Sequence, residues 1–221
     1  MDDRKNRRGG FYWLSGEPFV SVTNVLGIID KPQLRYWYGR EVYLAMVKDP
    51  TLGEKEALSA PYKTSDKALT RGSTVHSIVE SYKTTGIILE DVVEPYKGYA
   101  RAFKQWVSDF DIRVQEHEKT VVNKAHRYAG TLDLLVSNRD KETILVDVKT
   151  GKGIYDEAWL QTSAYWHGDD IKADKIAVVL LGEDGTYKFE YGKDKFDYFL
   201  AAKKLWEWQN TEKLYKVGYF K

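Results

Sequence analysis

Seven residues, Leu145-Val146-Asp147-Val148-Lys149-Thr150-Gly151, constrain this chain more than any other stretch. A strand has a period of two, so Asp147 and Lys149 leave one face while Val146 and Val148 leave the other. A carboxylate and an ammonium amid Val, Leu and Ile cost stability unless both are paired. Upstream, Asp133 interrupts an equally apolar run, GTLDLLV. A hairpin through Ser137 to Glu142 would lay the two runs side by side and bring Asp133 close to Asp147. Two carboxylates forced together raise each other's pKa unless a cation neutralises them. Hard oxygen ligands suit Mg²⁺ or Mn²⁺. The sequence therefore asks for a sheet that holds a divalent metal, with Lys149 beside it.

Beyond Thr150, a helical run carries Gln161 and Tyr165 one turn apart on one side. Gly130-Thr131-Leu132-Asp133, then Asp147-Val148-Lys149-Thr150, then Gln161 with Tyr165 stand in a fixed order. That order resembles the G-x-x-D, D-x-K-T and Q-x-x-x-Y motifs of the PD-(D/E)XK nucleases, specifically the RecB-type exonuclease branch. The segment SVTNVLGIIDKPQLRYW adds a likeness to phage-encoded nucleases of that branch. The resemblance implies an α/β, restriction-endonuclease-like fold, with a mixed central sheet flanked by helices. It implies a catalytic set of Asp133, Asp147, Lys149, Gln161 and Tyr165. The metal ligands would be Asp133, Asp147, the Val148 backbone carbonyl and His76, the last within a G-x-x-x-H-x-x-x-E pattern from Gly72 to Glu80. Glu80 is a further ligand candidate, or a partner that orients the imidazole. Glu118, in an E-x-x-V pattern ending at Val121, is another. Lys149 would orient or deprotonate a metal-bound water, or stabilise charge on the phosphorane. His117, His126 and His167 carry no motif and are expected to be satisfied surface residues.

The rest of the chain arranges itself around this core. Met1 to Gly10 is a charged start, and Phe11 to Val20 reads as a hairpin. Ser21 is an N-cap candidate for a short helix from Val22 to Ile29. Pro32 suits the first turn of a longer helix to about Lys48. That helix interleaves Tyr36 and Tyr38 with Arg35 and Arg40, a candidate base-stacking surface beside phosphate contacts; Trp37 is assigned to packing. Asp49 to Lys63, with Pro50, Gly53 and Pro61, reads as an irregular connection. Ser65 to Lys83 reads as a helix capped by Ser65 or Asp66, with Leu69, Val75, Ile78 and Val79 apolar. Arg71 joins the candidate DNA contacts. Ile87 to Val93 reads as extended or loop, and Glu94 to Phe110 as a helix with Tyr99, Phe103, Trp106 and Phe110 inward. Strands follow at Ile112 to Val122, Ile176 to Leu181 and Tyr187 to Tyr191. Thr150 and Lys152 lie in a loop at the metal's edge, where a phosphate could be met. Asp156 is expected to cap the helix that carries Gln161. A closing helix runs from Phe196 to Trp208.

With 221 residues and no linker or repeat, a single domain is expected. It divides into a hairpin and largely helical N-terminal half (1–110) and a catalytic sheet with closing helices (111–221). A net charge of +1 says little about a polyanionic partner. The absence of cysteine excludes the iron–sulfur cluster of some RecB-type relatives and suits a reducing compartment. No apolar run reaches membrane-spanning length, so a cytoplasmic protein, in a bacterial host or phage-infected cell, is expected. The expected activity is Mg²⁺- or Mn²⁺-dependent exonucleolytic hydrolysis of DNA with single-stranded or free ends, in recombination, repair or processing. The alternatives are a structure- or site-specific endonuclease, or a DNA-binding module that has lost catalysis. Polarity, oligomeric state and protein partners are not legible.

Overall fold

The computed structural model describes residues 7–85 and 91–220, with backbone only for residues 83–85. Residues 1–6 of the charged start, and most of the expected passage from Ile87 to Val93, lie outside the described residues. Among the described residues, eight strands form one mixed sheet. β1 (Arg7–Arg8), β2 (Phe11–Leu14) and β3 (Glu17–Ser21) are antiparallel neighbours. β3 runs parallel to the start of β5 (Tyr128–Ser137), while β4 (Arg113–Asn123) runs antiparallel to all of it. β6 (Thr143–Lys149) is antiparallel to the far end of β5. β7 (Lys175–Leu181) is parallel to β6, and β8 (Tyr187–Tyr191) closes the order antiparallel to β7.

A strand has only two edges, and this sets the site. β4 takes one edge of β5 from end to end, so β3 and β6 must divide the other. β3 pairs with Tyr128 and Ala129, and β6 with Leu134 to Ser137. Residues 130–133 lie between these two ladders, where the sheet splays open.

Helices cover both faces. α1 (Val22–Leu26), α5 (Asp156–Trp166), α6 (Phe196–Gln209) and α7 (Thr211–Lys216) close one, burying Leu145 and Ile176 against Phe199, Trp206 and Leu214. The C-terminal part of α3 (Glu54–Thr85) and α4 (Lys97–Phe110) close the other. There Val75, Phe103 and Trp106 meet Ile144, Val146 and Val148. The alternation along β6 thus sends its valines to α3 and α4, and Leu145 to the opposite layer. α2 (Pro32–Lys48) stands against α3 and completes the largely helical N-terminal half. Among the described residues no helix is long and apolar enough to cross a membrane.

Several local expectations change. The stretch from Asp49 to Lys63 is not irregular beyond Gly53, because α3 already begins at Glu54 and runs through Pro61. Proline removes one i→i−4 bond and costs about 3 kcal/mol in a helix interior. Here the good helix formers Glu54 to Leu58 precede it, and Ala57 and Pro61, one turn apart, are both buried. Thr64, on the same side, hydrogen-bonds Glu41 of α2 at 3.1 Å. Packing overrides the breaker. Ser65 and Asp66 are consequently mid-helix and cap nothing, and Leu69 is exposed rather than core. Ser21 does occupy the N-cap position of α1, but its hydroxyl bonds Thr23 Oγ1 at 2.8 Å instead of a backbone amide. Asp156 is the first residue of α5, with Tyr155 at the cap position.

Candidate active site

The opening in the sheet gathers the charged residues. The pairing of Leu134 with Val146 brings Asp133 beside Asp147. Asp133 Oδ2 accepts the Val148 N–H at 2.7 Å, fixing its carboxylate at the splay. Asp147 is buried, and Lys149 Nζ lies 2.6 Å from its Oδ2. The ammonium thus serves Oδ2, whereas Asp147 Oδ1 has no hydrogen-bond partner among the described residues. A buried carboxylate oxygen left over in this way is what a bound cation would satisfy.

Two more elements complete the cluster. α3 brings His76, whose Nδ1 is 3.6 Å from Asp133 Oδ1 and 3.6 Å from Glu118 Oε1. β4 brings Glu118 in a left-handed conformation, φ 47°. A non-glycine residue inside a strand pays for that geometry, and such strain gathers at functional sites. One ligand atom each from His76, Glu118 and Asp133 lies within 4.8 Å of the others, close enough to share a single ion. An imidazole and carboxylate oxygens suit Mn²⁺ and tolerate Mg²⁺. Glu118, secondary in the sequence, is thus placed with His76 and Asp133, while Asp147 is held against Lys149.

From α5, Gln161 Nε2 donates to Tyr165 Oη at 3.2 Å, and Gln161 Oε1 lies 3.5 Å from Lys149 Nζ. A cavity of about 370 Å³ opens over His76, Glu118, Asp133, Gln161 and Tyr165. Its wall includes four residues that the sequence did not point to: Arg7, Tyr12, Thr23 and Thr131. Arg7 donates to Thr23 Oγ1 at 3.2 Å, and Tyr12 and Thr131 join hydroxyls at 3.1 Å. The parallel β3–β5 ladder brings these distant segments together, and no local spacing announces it.

Most other sequence candidates lie elsewhere. Glu80 stands 3.7 Å from His117 Nδ1 and lines a small pocket together with His76, Glu118 and Asp133, while the Nδ1 of His76 faces Glu118 and Asp133. His117 is half-buried beside the cluster, not a surface residue. His167 is satisfied, bonding Asp194 at 2.7 Å and stacking on Phe196, and His126 packs edge-on to the same ring. Arg35 is paired with Asp30. Tyr38 packs between Trp37 and Tyr62, while Tyr36 and Arg40 are exposed. The charge of Arg71 is felt by Tyr99 on α4. Thr150 is half-buried and Lys152 exposed in the loop after β6.

The electrostatics follow from burial and crowding. Burial alone would lower the His76 pKa, but the Glu118 carboxylate facing it and the charges of Asp133 and Asp147 outweigh it and raise it to about 9. Burial, then the Asp147 charge, raise Asp133 above the usual carboxylate range against the pull of His76 and Lys149. Burial opposes the Lys149 charge, yet Asp147 and Asp133 hold its pKa above the ordinary value. Burial and the same two carboxylates push the Tyr165 phenol up. Without a cation the imidazolium and ammonium neutralise the carboxylates, and a divalent ion could replace the imidazolium proton.

No family model matches the sequence, and no curated protein is detectably similar to it. Solved structures do align. The alkaline exonuclease LHK-Exo from Laribacter hongkongensis is 12% identical, with 91% of this chain and 90% of that chain covered and a TM-score of 0.49. LHK-Exo in complex with dAMP gives 14%, 91%, 90% and 0.45. SSO0001 gives 16% identity, 84% and 73% coverage and a TM-score of 0.39. These likenesses are too loose to carry function, and the side chains at the site are what bear on it.

Proposed function

We propose that this chain is a divalent-metal-dependent deoxyribonuclease that hydrolyses phosphodiester bonds from free, preferably single-stranded, ends. The convergence of His76, Glu118 and Asp133 beside the Asp147–Lys149 pair, at the opening of the sheet, supports this above all. His76, Glu118 and Asp133, with Asp147 and the Val148 carbonyl adjacent, would hold Mg²⁺ or Mn²⁺. Bound there, the ion would neutralise phosphate charge and acidify a water. Asp147 keeps Lys149 charged, and Gln161, steadied by Tyr165, limits where its ammonium can swing. A fixed ammonium can orient the attacking water or offset charge on the phosphorane. Arg7 on the cavity wall, and Thr150 and Lys152 on the loop, are suited to flanking phosphates.

The cavity of about 370 Å³ at His76, Glu118 and Asp133 has room for one nucleotide unit, and the preference for free ends is what a comparison of linear and circular strands decides. The roles proposed are recombination, repair or other DNA processing. The test is a time course on linear and circularised single strands of one sequence, in EDTA, Mg²⁺ and Mn²⁺, with Lys149→Ala as control. Cleavage of the linear strand only, with metal only, and not by Lys149→Ala, is expected. Cleavage in excess EDTA would overturn the metal assignment, and equal loss of circles would make the enzyme an endonuclease. Binding without cleavage under every condition would leave a DNA-binding module.

A further inference from the structure

α2 (Pro32–Lys48) has no buried residue along its 17 positions. One side leans on α3, where the Tyr38 ring meets Tyr62 and Glu41 accepts from Thr64. By helical spacing the opposite side carries Tyr36, Arg40, Tyr43 and Val47, separated by four, three and four residues. All are exposed: Tyr36 by 77%, Tyr43 by 66% and Val47 by 59%, with Arg40 between them. Gly39 borders the stripe with open space where a Cβ would stand, so another backbone can approach there. Leu44 and Met46, which flank the stripe, are also exposed, whereas Leu34 shares the side of Tyr38 and Glu41. A contiguous apolar face of this kind marks an interaction site.

The chemistry of the stripe suits a second copy of itself, because its single cation meets a ring when that copy is reversed. If two α2 helices lie antiparallel with their dyad between Glu41 and Val42, Tyr36 faces Val47 of the second copy. Arg40 then faces Tyr43 of the second copy, a cation over an aromatic ring. The two-fold axis repeats both pairs, and no like charges meet. Parallel docking would instead set Arg40 against itself. A single-stranded nucleic acid is disfavoured, because the stripe offers one cation and Arg35 nearby is paired with Asp30. The exposed remainder is largely aliphatic, which suits protein. We infer that the outer face of α2 is an isologous docking surface for a second copy of this chain, antiparallel about that dyad. The stripe spans about 17 Å of helix axis. A single helix face of that length falls short of the roughly 800 Å² per partner of standard stable interfaces, so the dimer is concentration-dependent. This assignment is independent of the nuclease proposal.

The chain has no cysteine, which makes cross-linking a clean test. Chains carrying Tyr36→Cys and chains carrying Val47→Cys are mixed and oxidised, and each is also oxidised alone. A mixed disulfide dimer is expected, with little from either chain alone, since like positions sit about 17 Å apart along the axis. Sedimentation of the cysteine-free chain over a concentration series should show reversible dimerisation. Tyr43→Lys, which sets two cations face to face, should weaken it by roughly tenfold or more, and Tyr43→Glu should retain it by pairing with Arg40. Both sites are exposed, and circular dichroism confirms folding. Tyr36→Cys cross-linking with itself would overturn the antiparallel register, and a monomer at every concentration would overturn the dimer. A monomer whose affinity for a single-stranded oligonucleotide falls with Tyr43→Lys would give this face to nucleic acid instead.

Discussion

Gly130 and Tyr165 occupy one another's space: a Cβ on Gly130 would stand 2.4 Å from Tyr165 Cε1. The glycine of the G-x-x-D strand and the tyrosine of the Q-x-x-x-Y helix are therefore two halves of one contact. Its consequence reaches the lysine. Tyr165 is seated on the bare backbone, its hydroxyl accepts from Gln161, and Gln161 Oε1 approaches Lys149 Nζ. Three motifs separated in the chain thus meet as one packing unit.

Gly130→Ala should cost about 1–3 kcal/mol in urea unfolding, as overpacking does in a well-filled core. Tyr165→Leu in the same chain should return part of that loss by withdrawing the ring. If Gly130→Ala unfolds at the parent's urea midpoint, Tyr165 does not depend on the bare backbone for its seat.

Lys149→Met separates chemistry from folding. Asp147 is 1% exposed and Lys149 lies against it, so loss of the ammonium strands a buried carboxylate. Breaking a buried pair costs roughly 3–5 kcal/mol; because Lys149 keeps about a third of its surface in water, the lower end applies. Saturating Mn²⁺ should recover much of this in thermal unfolding without restoring cleavage. Recovery of cleavage would show that the lysine only neutralises charge. An unchanged stability in EDTA would show that Asp147 is not stranded.

How far the sequence carried can be read from particular residues. Asp133, Asp147 and Lys149 are legible because the strand period and one short hairpin decide which faces they leave by. Gln161 and Tyr165 are legible because one helical turn separates them. Arg7 and Tyr12 are not, since it takes the long-range β3–β5 ladder to bring them within reach of Thr131 and Asp133. The helical path of Pro61 is not legible, because composition marks a breaker and cannot show that its ring is buried within a continuous helix. Glu118 stands in a legible pattern, but nothing local signals its φ of 47°. Glu80 shares a helical side with His76, and tertiary contact adds His117, which the helix spacing does not announce.

The C-terminal segment is closed by a polar clasp, and the cost of opening it should depend on which partner is removed. Lys203, 8% exposed, has Nζ 2.5 Å from Glu207 Oε1 and 3.0 Å from Tyr219 Oη. Burial lowers the lysine pKa, with Glu207 opposing. Glu207→Ala leaves a buried ammonium short of its anion and should cost about 3–5 kcal/mol. Lys203→Met removes the buried charge, fills a similar volume and should cost clearly less. Equal costs in urea unfolding would show that the charges add nothing beyond packing.

The last prediction sets protons against metal. His76 holds its proton to about 9 in the folded protein, against 6.5 ordinarily, and Asp133 is likewise raised above its ordinary 3.8. Both groups therefore bind protons more tightly folded than unfolded. For His76 the stabilisation is fully present below pH 6.5 and is lost as pH rises to about 9. For Asp133 the loss begins in the ordinary carboxylate range and continues up to its raised pKa. In EDTA the melting temperature should thus fall between pH 6.5 and 9. A divalent ion needs the same atoms deprotonated, so its affinity should rise over that interval and its binding should release protons. Mn²⁺ should then flatten or reverse the fall, and titration calorimetry in buffers of different ionisation enthalpy should count the protons. His76→Asn should weaken both the pH slope and the proton release. A melting temperature that rises with pH in EDTA, or Mn²⁺ binding that releases no proton at pH 7.5, would remove His76 and Asp133 from the ligand set.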